Sequence, residues 1–104
     1  MNMQNELFSQ KSNGRDLTFT LNTRRLDISN SDEIKLGMLS AVEGSEGTVT
    51  VDLCNVEFID SCGLSALVSV RKQMRDDREM SLKNTNEFVT KVVKMTKLDQ
   101  VFKI

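Results

Sequence analysis

Between Phe58 and Leu64 the chain runs FIDSCGL, and its middle places a carboxylate, a hydroxyl and a thiol side by side at Asp60, Ser61 and Cys62. Serine acts as a covalent nucleophile only when a neighbouring base takes its proton, and cysteine when its thiolate is stabilised. The sequence contains no histidine. No Ser-His or Cys-His pair can therefore form, and the commonest metal ligand is missing. There is also no GxxxxGK[ST] loop and no GxGxxG turn, the backbone cradles of nucleotide phosphates. Ser61 is accordingly read as a residue that is acted upon, and the protein as a non-enzyme with no cofactor and no bound metal.

The local pattern around Ser61 says what such a residue can do. Glu57 to Ile59 reads as the end of a strand, and Leu64, Leu67 and Val68 follow at helical spacing. At a strand-to-helix boundary Asp60 and Ser61 are favoured caps, because their oxygens accept from the free N–H groups of the first turn. Gly63 permits close approach between the helix start and its neighbours. The same geometry welcomes an anion, since those N–H groups and the macrodipole favour negative charge. A phosphate on Ser61 would carry about −1.5 to −2 charges into any partner packed against the helix start. Asp60 would add like-charge repulsion. With no base in the chain to activate Ser61, the phosphate must come from another enzyme. A plain cap and a reversible modification site both fit these residues.

The whole chain bounds the setting. Its 104 residues suit one domain spanning 1–104, with a single core. A formal net charge of −1 gives no basic face for nucleic acid, and all the aromatic residues are phenylalanine, five in number, too few for base-stacking platforms. No stretch approaches the roughly 20 apolar residues of a membrane span, so no direct membrane insertion is expected. The start, MNMQNELFSQ, lacks the basic and apolar regions of a signal peptide. Cys54 and Cys62 fit neither a disulfide framework nor a metal cluster, which points to the cytoplasm with both thiols reduced.

The elements that must position Ser61 follow from periodicity. Asn13-Gly14 is a hairpin signal of type I′, between a weak strand over Glu6–Ser12 and an alternating strand over Arg15–Asn22 with Leu17, Phe19 and Leu21 on one face. Asn30 caps a first helix, with Glu33 reaching back to it, and Ile34, Met38, Ala41 and Val42 form its buried face. Gly44 and Gly47 end that helix. Thr48–Cys54 is the clearest strand, with Val49, Val51 and Leu53 inward and Thr48, Thr50 and Asp52 outward as a solvent face or a partner surface. A second helix spans about Cys62–Arg75 and buries Leu64, Leu67, Val68 and Met74. Met80–Leu82 is a short strand. Asn84-Thr85-Asn86-Glu87 caps a third helix with Phe88, Val89, Val92, Val93 and Met95 inward, and Val101–Ile104 is a last strand or a docked tail. This order predicts an α/β (α+β) fold, a mixed sheet with an N-terminal hairpin and helices on one face. Cys54 is read as a core residue, Cys62 as packed or redox-active, the six methionines as core filler, and the Arg71–Glu79 cluster as a solvated helix end.

The run TVTVDLCNVEFIDSCGLSALV resembles the STAS domain of bacterial anti-sigma factor antagonists. That family has a strand ending in Asp-Leu, matched by Asp52-Leu53, then a Phe-Ile/Met-Asp-Ser-Ser/Thr-Gly-Leu turn, matched by Phe58 to Leu64. Upstream, RRLDI (Arg24 to Ile28) is similar to a Gly-Arg-Leu-Asp segment, and downstream TKLDQVFKI is similar to a Thr-Gly-Leu-Asp-x-Val-Phe tail. The resemblance implies a STAS-like sheet of four to five strands and a phosphorylation-controlled partner switch. Its partners would be an anti-sigma factor that is also an ATP-dependent serine kinase, and a serine phosphatase. Ser61 matches the phosphorylated position, and Asp60, Ser61, Cys62, Gly63 and Leu64 form the implied partner-binding turn. About 3 kcal/mol of charge mismatch there would weaken binding on the order of a hundredfold. Cys62 stands where the family has a second Ser or Thr, Arg24 where it often has Gly, Lys97 where the tail has Gly, and Asp76-Asp77-Arg78 where it has a glycine pair. An alternative within the same fold is a STAS subunit of another assembly, either a signalling scaffold or the accessory subunit of a membrane transporter.

Overall fold

The computed structural model describes residues 7–104. The chain begins with two strands, β1 (Phe8–Asn13) and β2 (Asp16–Leu21), then a two-residue strand β3 (Arg25–Leu26) and helix α1 (Ser31–Glu43). Strands β4 (Val49–Asp52) and β5 (Phe58–Ile59) lead into helix α2 (Ser61–Gln73). Strand β6 (Met80–Lys83), helix α3 (Glu87–Met95) and a 3-10 turn over Leu98–Gln100 complete it.

The main sheet has the order β1-β2-β4-β6, with β1 antiparallel to β2 and β2, β4 and β6 parallel. Its register explains why one face is buried. Leu17, Val49 and Met80 form one row across the sheet, and Phe19, Val51 and Leu82 the next. All six are buried and join Ile34, Met38 and Val42 of α1 and Leu64, Leu67 and Val70 of α2 in one core. The intervening rows, Thr18-Thr50-Ser81 and Thr20-Asp52-Lys83, lie on the other face and stay partly or fully exposed. Period-two alternation thus sets which side of the sheet the helices cover.

Several local expectations shift. Asn13 pairs with Asp16, so the turn residues are Gly14 and Arg15. Gly14 alone of the two has positive φ, at 66°, the pattern of a type II′ rather than a type I′ turn. The expected strand start at Glu6 lies outside the described residues. Asn30 precedes α1, but its side chain makes no cap bond. Its Oδ1 accepts from Asp27 N–H (3.1 Å) and its Nδ2 donates to the Arg25 carbonyl (2.8 Å), so the residue closes the turn before the helix instead. Asn86 does cap α3, accepting from Val89 N–H at 2.7 Å.

Phe88 and Met95 are 43% and 72% exposed, so only Val89 and Val93 are fully buried on α3. Phe88 instead stacks on Phe58 (centroids 5.4 Å apart), and Arg25 lies over the Phe58 ring at 4.2 Å. Arg78 is not part of a solvated cluster: it is 8% exposed and donates to the Gly47 carbonyl (2.7 Å) and Ser45 Oγ (2.8 Å). The C-terminus is a docked tail with one parallel bridge, Ser81 to Lys103, and a buried Phe102.

Strand β3 pairs in parallel with β5, Arg25 opposite Phe58 and Leu26 opposite Ile59. This two-stranded ribbon carries the join at Ser61, and α2 presses on it through Gly63. A Cβ at Gly63 would stand 2.3 Å from the Leu26 carbonyl oxygen and under 3 Å from the Leu26 and Ile59 side chains. Gly63→Ala should therefore destabilise the protein by about 3 kcal/mol or more, read as a lower urea midpoint. An unchanged midpoint would mean that α2 does not rest on β3 in this way. Lys97 presents the reverse case, an exposed residue in the left-handed region at φ 60°. Lys97→Gly should stabilise the protein by up to about 1 kcal/mol, read as a higher midpoint, since relief of the αL strain outweighs the added freedom of the unfolded chain. A lower midpoint would contradict that balance.

Candidate functional site

Asp60 builds the join. It is the N-cap of α2, in extended conformation, and its Oδ1 accepts from Gly63 N–H at 2.9 Å. The other carboxylate oxygen accepts from Ile28 N–H at 3.2 Å, across 32 residues of sequence. Its own N–H donates to the Leu26 carbonyl (3.2 Å), and its carbonyl accepts from Leu64 N–H (3.0 Å). One residue thus caps α2 and ties its start to the segment between β3 and α1. That segment is itself a tight turn. Asp27 Oδ1 accepts from both the N–H and the hydroxyl of Ser29, which hold the Asp27 carboxyl below its usual range, with Arg25 adding to the effect.

Ser61 occupies the first helical position and is exposed. Its hydroxyl has no hydrogen-bond partner among the described residues, because Asp60 already serves the first turn. The five residues of the turn therefore divide. Ser61 is exposed and Cys62 half-exposed, Asp60 is half-buried with both oxygens engaged, and Gly63 and Leu64 are buried against β3, β5 and the core.

A groove of about 350 Å³ runs beside Ser61 between the first turns of α1 and α2. From α2 it is lined by Ser61, Cys62 and Ser65, and from the α1 side by Ile28, Asp32 and Lys35. Ile28 is 77% exposed at its mouth. On the α2 side the sequence singled out Ser61 and Cys62 but not Ser65 or Ser69, although Ser61, Ser65 and Ser69 recur every fourth residue and so share one helix face. The α1 contribution was not legible. It comes from the hydrogen bond between Asp60 and Ile28, which no local pattern announces.

The remaining candidates take other places. Cys54 is exposed rather than in the core, because the chain leaves β4 at Asp52. The Asp52 carboxylate beside it pushes the Cys54 thiol up, which keeps it protonated. Partial burial works against ionisation of Asp52, but hydrogen bonds from Asn84 Nδ2 and Cys54 N–H, 3.0 Å each, hold its carboxyl below the usual range. Thr50 and Asp52 lie on the uncovered sheet face. Among the described residues no group of three or more His, Cys, Asp or Glu side chains could hold a metal ion, and no helix is long and apolar enough to cross a membrane.

Comparison with known proteins converges on one family. The description of the STAS domain matches residues 9–104. An anti-sigma factor antagonist from Mycobacterium paratuberculosis is 17% identical over 92% of this chain and 81% of its own, with a TM-score of 0.83. The Bacillus cell fate determinant SpoIIAA, also an anti-sigma factor antagonist, is 18% identical and shares the fold in both of its forms. Its unphosphorylated form superposes over 91% of this chain and 84% of its own (TM-score 0.77), and its phosphorylated form over 91% and 87% (0.70). The murine anion transporter Slc26a9 contains the same fold, 16% identical over 86% of this chain but only 15% of the transporter (0.72). At these identities the superpositions carry the fold, which is the mixed sheet with three helices described above. With the match over residues 9–104 spanning all but the first residue of that fold's hairpin and running through the Asp60-Ser61 join to the docked tail, the chain belongs to the STAS domain family.

Proposed function

We propose that this protein is a cytoplasmic, single-domain bacterial anti-sigma factor antagonist switched by phosphorylation of Ser61. In the unphosphorylated state the turn at Ser61 and Cys62, with the groove beside it, binds an anti-sigma factor that is also an ATP-dependent serine kinase. Asp60, Gly63 and Leu64 serve that surface from beneath by fixing its shape. The observation that supports the reading is the state of Ser61: exposed, first in its helix, with a hydroxyl that no hydrogen bond from the described residues occupies.

The chemistry is a phosphoryl transfer performed by the partner. Ser61 Oγ forms a bond to the γ-phosphorus of ATP, the bond from that phosphorus to the bridging oxygen breaks, and ADP leaves. The hydroxyl proton passes to a base of the kinase, since this chain has no histidine and the Asp60 oxygens are committed. A serine phosphatase reverses the step with water, releasing inorganic phosphate. The product adds about −1.5 to −2 charges at the centre of the contact, next to Asp60. Cys62 in place of a second hydroxyl leaves Ser61 as the phosphoacceptor of the turn.

A second reading has its own observation. The same fold forms part of an anion transporter, so the chain could instead be the STAS subunit of a transporter or of a signalling scaffold. Ser61 separates the two, because a purely structural subunit does not need a modifiable residue there.

Ser61→Ala and Ser61→Glu, used as bait in lysate of the native cell, test the choice. Ser61→Ala should retain an ATP-binding kinase, and Ser61→Glu should lose it by on the order of a hundredfold. Equal recovery of the same partners by both variants would reject the switch, and recovery of a transporter by both would favour the second reading.

A further inference from the structure

The groove beside Ser61 contains a cation that the phosphorylation reading does not use. Ser31, the first residue of α1, is buried, so the start of α1 is held against the start of α2. Lys35 follows one helical turn later and lines the same groove as Ser61. Its side chain is only 32% exposed, although a solvated lysine would extend freely into water. Among the described residues it pairs with Asp32 alone, at 3.7 Å, and the Asp32 side chain is 91% exposed. A contact that long, to a carboxylate that water reaches freely, is weak.

Resting on that reading of Ser61, we infer that Lys35 is the built-in counter-ion of the phosphorylated serine. When Ser61 carries a phosphate, the Lys35 ammonium leaves Asp32 for a phosphate oxygen. A dianionic phosphate with three acceptor oxygens outcompetes a single exposed carboxylate. The charged groups facing the phosphate are Lys35 and Asp32 from α1 and Asp60 at the start of α2. Both Asp60 oxygens are engaged by backbone N–H groups, so Asp60 contributes repulsion but no donor, and among the described residues Lys35 is the one cation lining the groove.

The consequence is a different kind of switch from simple charge repulsion. A phosphate drawn toward Lys35 lies along the groove and occupies the part of it between Ser61 and Lys35, and the same contact removes the Lys35 ammonium from the surface a partner meets. Modification then closes a recognition feature of this chain as well as adding a charge to it.

The test installs phosphoserine at position 61 during translation, by genetic code expansion, so no kinase is involved. The second ionisation of the phosphate is followed by ³¹P NMR in four chains: unaltered at 35, Lys35→Met, Lys35→Arg and Lys91→Met. Pairing with Lys35 predicts that Lys35→Met raises the midpoint by about 0.5 pH units. Lys35→Arg should restore the lower value. Lys91→Met, on the exposed side of α3, should leave it unchanged. A midpoint unmoved by Lys35→Met in a chain whose amide spectrum shows it folded would overturn the inference. Equal shifts from Lys35→Met and Lys91→Met would overturn it too, since they would reflect general charge. Failure to find Ser61 phosphorylated in cells would remove the functional reading but would not alter this titration.

Discussion

The geometry of the site depends on the Asp60 carboxylate being shared between two N–H groups that are distant in sequence. One bond, to Gly63, is an ordinary helix cap and would form in any helix begun by aspartate. The other, to Ile28, is a tertiary contact between the start of α2 and the segment that leads into α1. Because one rigid carboxylate makes both, the two helix starts have a fixed relation, and the groove between them has a fixed width. Neutralising that carboxylate would loosen the cap and the groove together. The exposed ion pairs, such as Arg24 with Glu57 on either side of the same ribbon, reinforce this arrangement only weakly, being screened by water and salt.

That carboxylate can act as a bridge only if the backbone of α2 comes close to β3. Gly63 makes the approach: the Leu26 carbonyl sits where any other residue would place its Cβ. The short ribbon of β3 and β5 is in turn held by the apolar rows of the main sheet, through Leu26 and Ile59 in the same core. The hierarchy runs from sheet register, to ribbon, to glycine contact, to carboxylate bridge, to the position of Ser61. Each level restricts the next, which is why a two-residue strand can matter to a surface site.

Residues whose partners lie nearby in sequence were the ones that sequence reading placed. Val49, Val51 and Leu53 alternate against Thr48, Thr50 and Asp52, and their strand formed with the expected face buried, although it ends at Asp52. Asn86 capped its helix because nothing else competes for its Oδ1. Asn30 carried the same local signal and did not, since Arg25 and Asp27 offered it backbone partners in the turn. Strand β3 had no periodic signal, since two residues show no alternation, and although RRLDI was matched by resemblance, its strand forms only by pairing with β5. Arg78 looked like one charge among many, and the Gly47 carbonyl and Ser45 hydroxyl, 31 and 33 residues away, give it a buried place. Phe88 satisfied the helical period of a core residue yet stacks at the surface, because Phe58 gives it an aromatic partner outside the core. In the site itself, the turn from Asp60 to Leu64 was visible in the sequence, but Ile28 and Lys35 were not, because they arrive from another helix.

The division of labour between Asp60 and Ser61 bears on why a modification at this point, as proposed, is compatible with a stable fold. Serine at an N-cap normally spends its oxygen on the first turn, and a phosphate on such an oxygen would compete with the cap bond itself. Here the preceding aspartate makes that bond, and the serine is moved one position into the helix, with its hydroxyl exposed and unpaired among the described residues. A group added to Ser61 Oγ meets solvent and the groove rather than the Gly63 amide. The cap, the Ile28 bridge and the packing of Gly63 on β3 are all made by neighbouring atoms that the added group does not replace. The surface can therefore change its charge by nearly two units while the backbone that displays it keeps its bonds, and an interaction switch at this turn needs no unfolding of the domain.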